Sequence, residues 1–467
     1  MKKISIVVLL LLWHDVAVAQ SPPPTTVAEA VPTRPKAPTV DDPMLAPPPP
    51  APRVLSSWAE AIGHLRALST DLRIALDQVL TAEAQSRAAL AKYLPSLQGN
   101  GQYVHELVTR KSAGEVEVAV SEGLVKSATA PIPDTLNGIL TLTQTLVSAQ
   151  AYDQISISRR AEDASRLSVD DKRRTIALGV ADQIVTVVTA ERSVEITRVG
   201  LREALELLEL AKKREALGGA TILDVIRAEQ NAADARATLV SGDETLREAR
   251  EALGLALGIP EETGVAPNLN IDGVANEVIR SCRSVSSVED RPDVAAARVQ
   301  LEVEKRKLRN VWFGFLPTLT GQSDLSATTS VPLGYPNPIW DIQGLLTVPI
   351  WDGGTQYANL SAARAAEDIA EQELILLRRQ SVMQVEQARR QLVVAELADK
   401  VAREQRDIAT RNEAFTEVAY VAGQATSLEL VTASEAQRSA ELNLVIKDFA
   451  IVQAKLLATL ALATCTW

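Results

Sequence analysis

Apolar residues three and four positions apart organise most of this chain. From Leu201 they fall at Ala204, Leu205, Leu208 and Ala211, the stripe of an amphipathic helix. The stretch from Ala151 to Ile259 holds no proline and one Gly-Gly pair, Gly218-Gly219. It predicts two helical arms, each roughly 60–100 Å long at 1.5 Å rise per residue, folded back on one another at the glycines. Such a hairpin is too long for an ordinary globular domain.

The pattern occurs twice. Ala220-Thr221-Ile222-Leu223-Asp224-Val225 is echoed by Ala425-Thr426-Ser427-Leu428-Glu429-Leu430, and Ala228, Ala235 and Leu239 then match Ala433, Ala440 and Leu444. Upstream, Ala161-Glu162-Asp163 matches Ala366-Glu367-Asp368, and Leu94-Pro95-Ser96-Leu97 recurs as Leu316-Pro317-Thr318-Leu319. The chain is therefore two tandem copies of one unit, each on the order of 200 residues.

Each copy opens with a helix, expected from about Ser57 to Lys92 and from about Val294 to Val311. Proline ends each helix by driving the preceding residue out of helical angles. Period-two runs follow and predict strands over 94–107, 139–147, 316–327 and 340–350. The last is the clearest: Trp340, Ile342, Gly344, Leu346, Val348 and Ile350 share one face, while Asp341, Gln343 and Thr347 share the other. A long charged loop, 108–137, separates the first two strands, and a loop with Pro332, Pro336 and Pro338 separates the last two. The resulting division is a first repeat at 54–258 with its hairpin at 151–258, an inter-repeat linker at 259–292, and a second repeat at 293–467 with its hairpin at 353–467.

Ahead of the repeats, Lys2 and Lys3, the apolar run Ile4 to Trp13 and Ala17-Val18-Ala19 have the form of a secretory signal over 1–19. Residues 20–53 are proline-rich, with Pro47 to Pro50 consecutive, and are expected to be a disordered, extended tether. The two cysteines, Cys282 and Cys465, are candidates for one bridge in an oxidising compartment; spacing alone leaves their pairing open.

Composition narrows the classes. Aromatic residues make up 3% of the 467 residues and hydrophobic residues 46%, which suits long, closely packed helices better than a thick globular core. A net charge of −11 argues against nucleic acid as a partner. Of the three histidines, His64 and His105 lie outside the signal and have no metal-ligand or catalytic spacing around them. No P-loop or dinucleotide fingerprint occurs, so neither an enzyme nor a bound metal or cofactor is expected.

Each predicted strand is about ten residues, the length a tilted strand needs to cross a bilayer. Four strands cannot close a barrel, and open edges are not tolerated in lipid. A membrane reading thus demands several chains, and three would give about twelve strands around a water-filled lumen.

Pro349-Ile350-Trp351-Asp352-Gly353-Gly354 ahead of a long helix, the Leu-Pro-Ser-Leu and Leu-Pro-Thr-Leu pair, Tyr420-x-x-Gly423 and the duplicated frame resemble the TolC-like outer-membrane efflux proteins, or outer membrane factors. The resemblance runs from about Ser57 to the C-terminus. It implies a mainly α fold with a β-barrel portion: a homotrimer whose duplicated hairpins form a periplasmic α-barrel and whose strands form a 12-stranded transmembrane barrel in outer-membrane lipid. It further implies an exit duct for a tripartite efflux pump or a type I secretion system. The partners would be a periplasmic adaptor and an inner-membrane transporter, with no cofactor and no catalysis. The alternative, a periplasmic coiled-coil adaptor, usually has one hairpin flanked by biotinyl-like and barrel domains, whereas two hairpins are expected here.

The resemblance also implies a periplasmic gate at the hairpin tips, near Gly218-Gly219 and Gly423. The family places two aspartates after the second glycine; this chain has Glu429 and Thr432 there, so one acidic ring is kept in kind and one is lost. Asp224 matches an aspartate linking neighbouring hairpins, and Tyr420 its tyrosine partner, but Ala425 stands at the arginine position. Arg227, one turn from Asp224, is the expected substitute. Gly218, Gly219, Ala220, Gly423, Gln424 and Ala425 are the expected adaptor-docking tips, with Leu223, Val225, Leu428 and Leu430 beside them. Asp352, Gly353 and Gly354 would form the barrel-to-helix turn, with Asp352 capping the helix. Trp340 and Trp351 are candidates for the aromatic belt at the membrane boundary.

Overall fold

The computed structural model describes residues 38–105, 107, 134–267, 269, 271–329 and 336–467. The signal at 1–19, the tether as far as residue 37 and most of the loop over 108–137 lie outside the described residues. Eight helices are described: α1 (Trp58–Leu68), α2 (Thr70–Ala91), α3 (Ala149–Ala216), α4 (Ile222–Leu257), α5 (Ile271–Ser281), α6 (Pro292–Phe313), α7 (Thr355–Val421) and α8 (Ser427–Leu460). Eight strands join them: β1 (Arg53–Leu55), β2 (Ser96–Val104), β3 (Thr135–Val147), β4 (Thr263–Val265), β5 (Cys282–Ser284), β6 (Thr318–Thr328), β7 (Ile339–Thr347) and β8 (Ala463–Cys465).

The arms of each hairpin are unequal. α3 and α7 run for 68 and 67 residues, about 100 Å each at the helical rise. α4 and α8 run for 36 and 34, about half that. The shorter helices cover only the tip-proximal half of each long one. The other half packs against α2 on α3 and against α6 on α7, the two helices that lead into strands. Each long helix is thus a single rod joining the sheet end to the tip end. Its burial follows helical spacing: Ile184, Val187, Val194, Leu201, Ala204 and Leu208 of α3 are buried, three of them on the stripe seen in the sequence.

The helix expected over 57–92 is broken. Ser69 leaves helical angles at φ −64°, ψ 113° and serves both α1, as its C-cap, and α2, whose Leu72 N–H donates to the Ser69 hydroxyl. The break lies where the Leu68 carbonyl approaches Gly258. Gly258 ends α4 in the left-handed region at φ +77°, and a Cβ there would sit 2.6 Å from the Leu68 oxygen. Gly258→Ala is expected to cost roughly 2–4 kcal/mol from backbone strain and overlap together. Gly353 has a similar φ of +74° in open space, so Gly353→Ala should cost only about 1–2 kcal/mol. Thermal denaturation of the two variants in detergent measures the difference.

The region between the repeats is more than a linker. β4 pairs in parallel with β1, and β5 pairs antiparallel with β8, with Cys282 opposite Cys465. The two cysteines form a disulfide 183 residues apart in sequence, joining the linker to the last strand. The tether also departs from expectation. Asp42 accepts from the Arg236 guanidinium of α4 at 2.9 Å, and the Pro49 carbonyl accepts from Arg250 at 3.1 Å. Residues 38–52 therefore lie along the first hairpin, where the Asp42 carboxylate and the Pro49 carbonyl accept from Arg236 and Arg250 of α4.

The remaining strands form one four-stranded antiparallel sheet in the order β2-β3-β6-β7. Their limits differ from the expected ones by a few residues. Pro95 and Pro317 lie just outside β2 and β6, and β3 begins at Thr135, earlier than its apolar run suggested.

Candidate functional site

The repeat builds two near-identical tips. α3 ends in a Schellman turn in which Gly219 N–H donates to the Arg214 carbonyl at 2.8 Å, with Gly218 at φ +77°. α7 ends the same way, with Gln424 N–H on the Ala419 carbonyl at 2.8 Å and Gly423 at φ +75°. Capping boxes then start α4 and α8. Asp224 accepts from Thr221 N–H at 2.8 Å, and Glu429 accepts from Thr426 N–H at 2.7 Å.

The two tips touch through side chains. The Ser427 hydroxyl donates to the free oxygen of Asp224. The Arg214 guanidinium lies 4.5 Å from the centre of the Tyr420 ring and donates to the Tyr420 carbonyl at 2.7 Å. Tyr420 is only 4% exposed, and its phenol oxygen has no hydrogen-bond partner among the described residues. Hydrogen bonds from Ser427 and from the Thr221 backbone hold the Asp224 carboxyl below the usual carboxylate range. Burial pushes the Tyr420 phenol up, with Arg214 opposing.

Arg214 is the residue that the sequence did not single out. It sits in the last turn of α3, ahead of the glycines of the first tip, whereas Ala425 follows the glycine of the second. Arg227 acts on Asp224 only through its charge, as the smallest of the contributions there. Glu429 is exposed, and the oxygen that accepts from Thr426 N–H also accepts from the Thr426 hydroxyl at 3.0 Å. Those bonds lower its carboxyl below the ordinary value. Thr432 turns back on its own helix and donates to the Leu428 carbonyl at 3.0 Å.

Gly218, Gly219, Gly423 and Gln424 are exposed; Ala220 and Ala425 are half-buried. Around them Leu217 is 86% exposed, and Ile222, Leu223 and Leu428 are also exposed, whereas Val225 and Leu430 are buried. The tips thus present an apolar patch at the end of a polar rod. At the opposite end, Asp352 accepts from the N–H groups of Gly354 and Gln356 at 3.1 and 2.8 Å, with Gly353 and Gly354 at φ +74° and +92°.

The sheet has two unlike faces. Registered pairs place Leu97, Leu140, Leu142, Leu325, Trp340, Ile342 and Leu346 on one side. The other carries Gln98, Asn100, Gln102, Thr141, Thr143, Gln322, Asp324, Asp341 and Gln343. One row runs across all four strands as Gln98, Thr141, Asp324 and Asp341. Both Gln322 and Gln343 donate to Asp324, at 2.7 and 3.2 Å. Among the described residues, β2 and β7 are left with unpaired outer edges.

A family model described as outer membrane efflux protein matches residues 61–259. The match places the first repeat of this chain in likeness to that family. The outer membrane protein OprJ of Pseudomonas aeruginosa is 28% identical over 316 residues, which is 64% of this chain and 61% of OprJ. Nodulation protein T of Rhizobium leguminosarum bv. trifolii is 23% identical over 388 residues, 79% of this chain and 76% of that protein. The matched region spans less than two thirds of OprJ and 47% of the pyoverdine export outer membrane protein OpmQ of Pseudomonas putida. Among solved structures, CusC superposes with a TM-score of 0.73 at 17% identity, covering 91% of this chain and 99% of CusC. The Campylobacter jejuni CmeC outer membrane channel gives 0.72 at 15%, covering 91% and 94%. At these identities the likeness establishes the fold, that of channels combining a helical barrel with a β-barrel.

Proposed function

We propose that the protein is the outer-membrane exit duct of an envelope-spanning export machine, a tripartite efflux pump or a type I secretion system. Three copies would join their four-stranded sheets edge to edge into one barrel of about twelve strands. Their hairpins would continue it as a tube through the periplasm. The apolar sheet face would meet lipid, with Trp340 and Trp351 near the boundary, and the polar face would line water. The tips would carry the gate and the surface for a periplasmic adaptor, and an inner-membrane transporter would supply the energy. The duct itself binds no cofactor and catalyses nothing.

One observation carries this reading: a sheet with an apolar and a polar face and two unpaired edges, continuous with rods about 100 Å long. The apolar face does not suit a soluble sheet, because it is exposed in the single chain, with Trp340 71% and Ile342 74% accessible. A relative named for pyoverdine export supports the export role. Fractionation of the native envelope tests it. The protein should pellet with outer membranes, require detergent for extraction and shift from an oligomeric to a single-chain band on heating. Recovery in the osmotic-shock fluid as a heat-insensitive single chain would contradict it.

A further inference from the structure

The ends of the helical rods next to the sheet carry a charge unlike the rest of the chain. From Lys305 to Phe313, α6 holds Lys305, Arg306, Lys307 and Arg309 and no acid. From Thr355 to Ala366, α7 holds Arg364 and no acid. The whole chain, by contrast, has a net charge of −11. Lys307 is paired with Glu304, and Arg309 with Asp153. The side chains of Lys305 and Arg364 are exposed and have no partner among the described residues. Glu302, one turn further from the sheet, pairs with Arg160 at 3.8 Å.

Aromatic rings share these helix faces. Lys305, Arg309 and Trp312 recur at helical spacing on α6, and Tyr357 and Arg364 on α7. Trp312 lies 5.7 Å from Phe315, and Phe315 5.6 Å from Tyr357, centre to centre, so rings from both elements meet at one level. α6 runs toward the sheet and α7 away from it, and the two pack together. Lys305 and Arg364 are each seven residues from their ring, about 10 Å along the axis, and so share a second level. Trp312 and Tyr357 are both exposed, which a wall of a water-filled lumen does not call for. The first repeat keeps the order: Arg87 precedes Leu94 by the same seven residues as Arg309 precedes Leu316. The side chains of Arg87 and Lys92 are likewise exposed and unpaired among the described residues.

We propose that this junction binds the headgroups of anionic phospholipids in the periplasmic leaflet, with the rings at the hydrocarbon boundary and Lys305 and Arg364 on the phosphates. The proposal rests on the outer-membrane reading and adds to it a lipid class and the residues that select it. Two observations commit the surface to lipid. It continues the exposed apolar face of the sheet through Leu346, Val348 and Ile350 to Trp351, and its unpaired charges are cationic. Indole and phenol rings settle where one end is apolar and the other wet. A headgroup layer is about 5–8 Å deep, and Lys and Arg two turns beyond the rings reach it by extending back along their stems. Each cation beside such a surface favours an anionic lipid over a zwitterionic one by about fivefold.

Reconstitution of the full mature protein into nanodiscs with equal amounts of phosphatidylglycerol and phosphatidylcholine, then mild detergent extraction and native mass spectrometry of the retained lipid, tests it. Phosphatidylglycerol should be retained in preference. Lys305→Gln with Arg364→Gln should cut that preference roughly five- to thirtyfold, the range for one or two engaged cations. Exchanging the two, Lys305→Arg with Arg364→Lys, should keep it. Arg390→Gln with Lys400→Gln, exposed on the same α7 but about 50 Å or more from its sheet end, should leave it unchanged. Equal retention of both lipids by the unaltered protein, an undiminished preference after Lys305 and Arg364 are neutralised, or the same loss in both neutralised pairs would overturn the proposal and leave the membrane reading standing. Retention of neither lipid would overturn both.

Discussion

Combining Asp224→Ala with Tyr420→Ala should raise the resting current of the protein reconstituted in planar bilayers. The two side chains belong to the contacts between the tips. The Ser427 bond to Asp224 is lost with the carboxylate, and the Arg214 guanidinium loses the ring it lies over. A charge-assisted hydrogen bond contributes about 1.5–3 kcal/mol, so the balance between closed and open tips should shift roughly 10- to 150-fold. Arg214→Ala alone should reproduce much of the effect, and Arg227→Ala little of it, because Arg227 reaches Asp224 only through its field. An unchanged closed-state current in the double variant would remove these residues from the gate.

Ion selectivity should be set mainly within the sheet. Asp324 and Asp341 face each other across β6 and β7 on the polar face, so three chains would place six carboxylates around one level of the lumen. Acidic rings favour cations. Asp324→Asn with Asp341→Asn should therefore move the reversal potential in a salt gradient well toward zero while leaving conductance intact. Neutralising Glu429 should do less, because one of its oxygens is committed to capping α8. If Glu429→Gln moved the potential more than the sheet pair did, selectivity would reside at the tips.

Much of this architecture is legible in the sequence because it is repeated. A stripe at helical spacing that recurs after about two hundred residues, with glycines at 218 and 423 at the same phase, specifies both hairpins and both capping boxes. The strands are legible for a similar reason: one face must be apolar and the other polar, so Trp340 to Thr347 alternate without exception apart from Leu345. What escaped depends on contacts distant in sequence. The apolar stripe runs unbroken through Ser69, and only the approach of Gly258 makes a corner there. The disulfide closes residues 183 apart, a distance no spacing rule resolves. The seating of residues 38–52 needs Arg236 and Arg250 to be aligned on one face of α4, which composition does not show.

The tips are instructive because the sequence located their turns but not all of their contacts. Aligning the second tip with the family pattern identifies Tyr420 and the vacancy at Ala425. Arg227, three residues from Asp224, is the nearest cation in sequence. The folded chain favours Arg214, because the last turn of α3 and the last turn of α7 lie side by side. The run Lys212-Lys213-Arg214 before Leu217-Gly218 was the available signal, with basic residues near a helix C-terminus opposing its dipole.

The mass of the detergent-solubilised protein, measured by light scattering with the detergent contribution subtracted, tests the central claim most directly. Closure of the sheet through its free β2 and β7 edges predicts three chains per particle, stable until heated. A single chain per particle that stays soluble once detergent is removed would contradict the account.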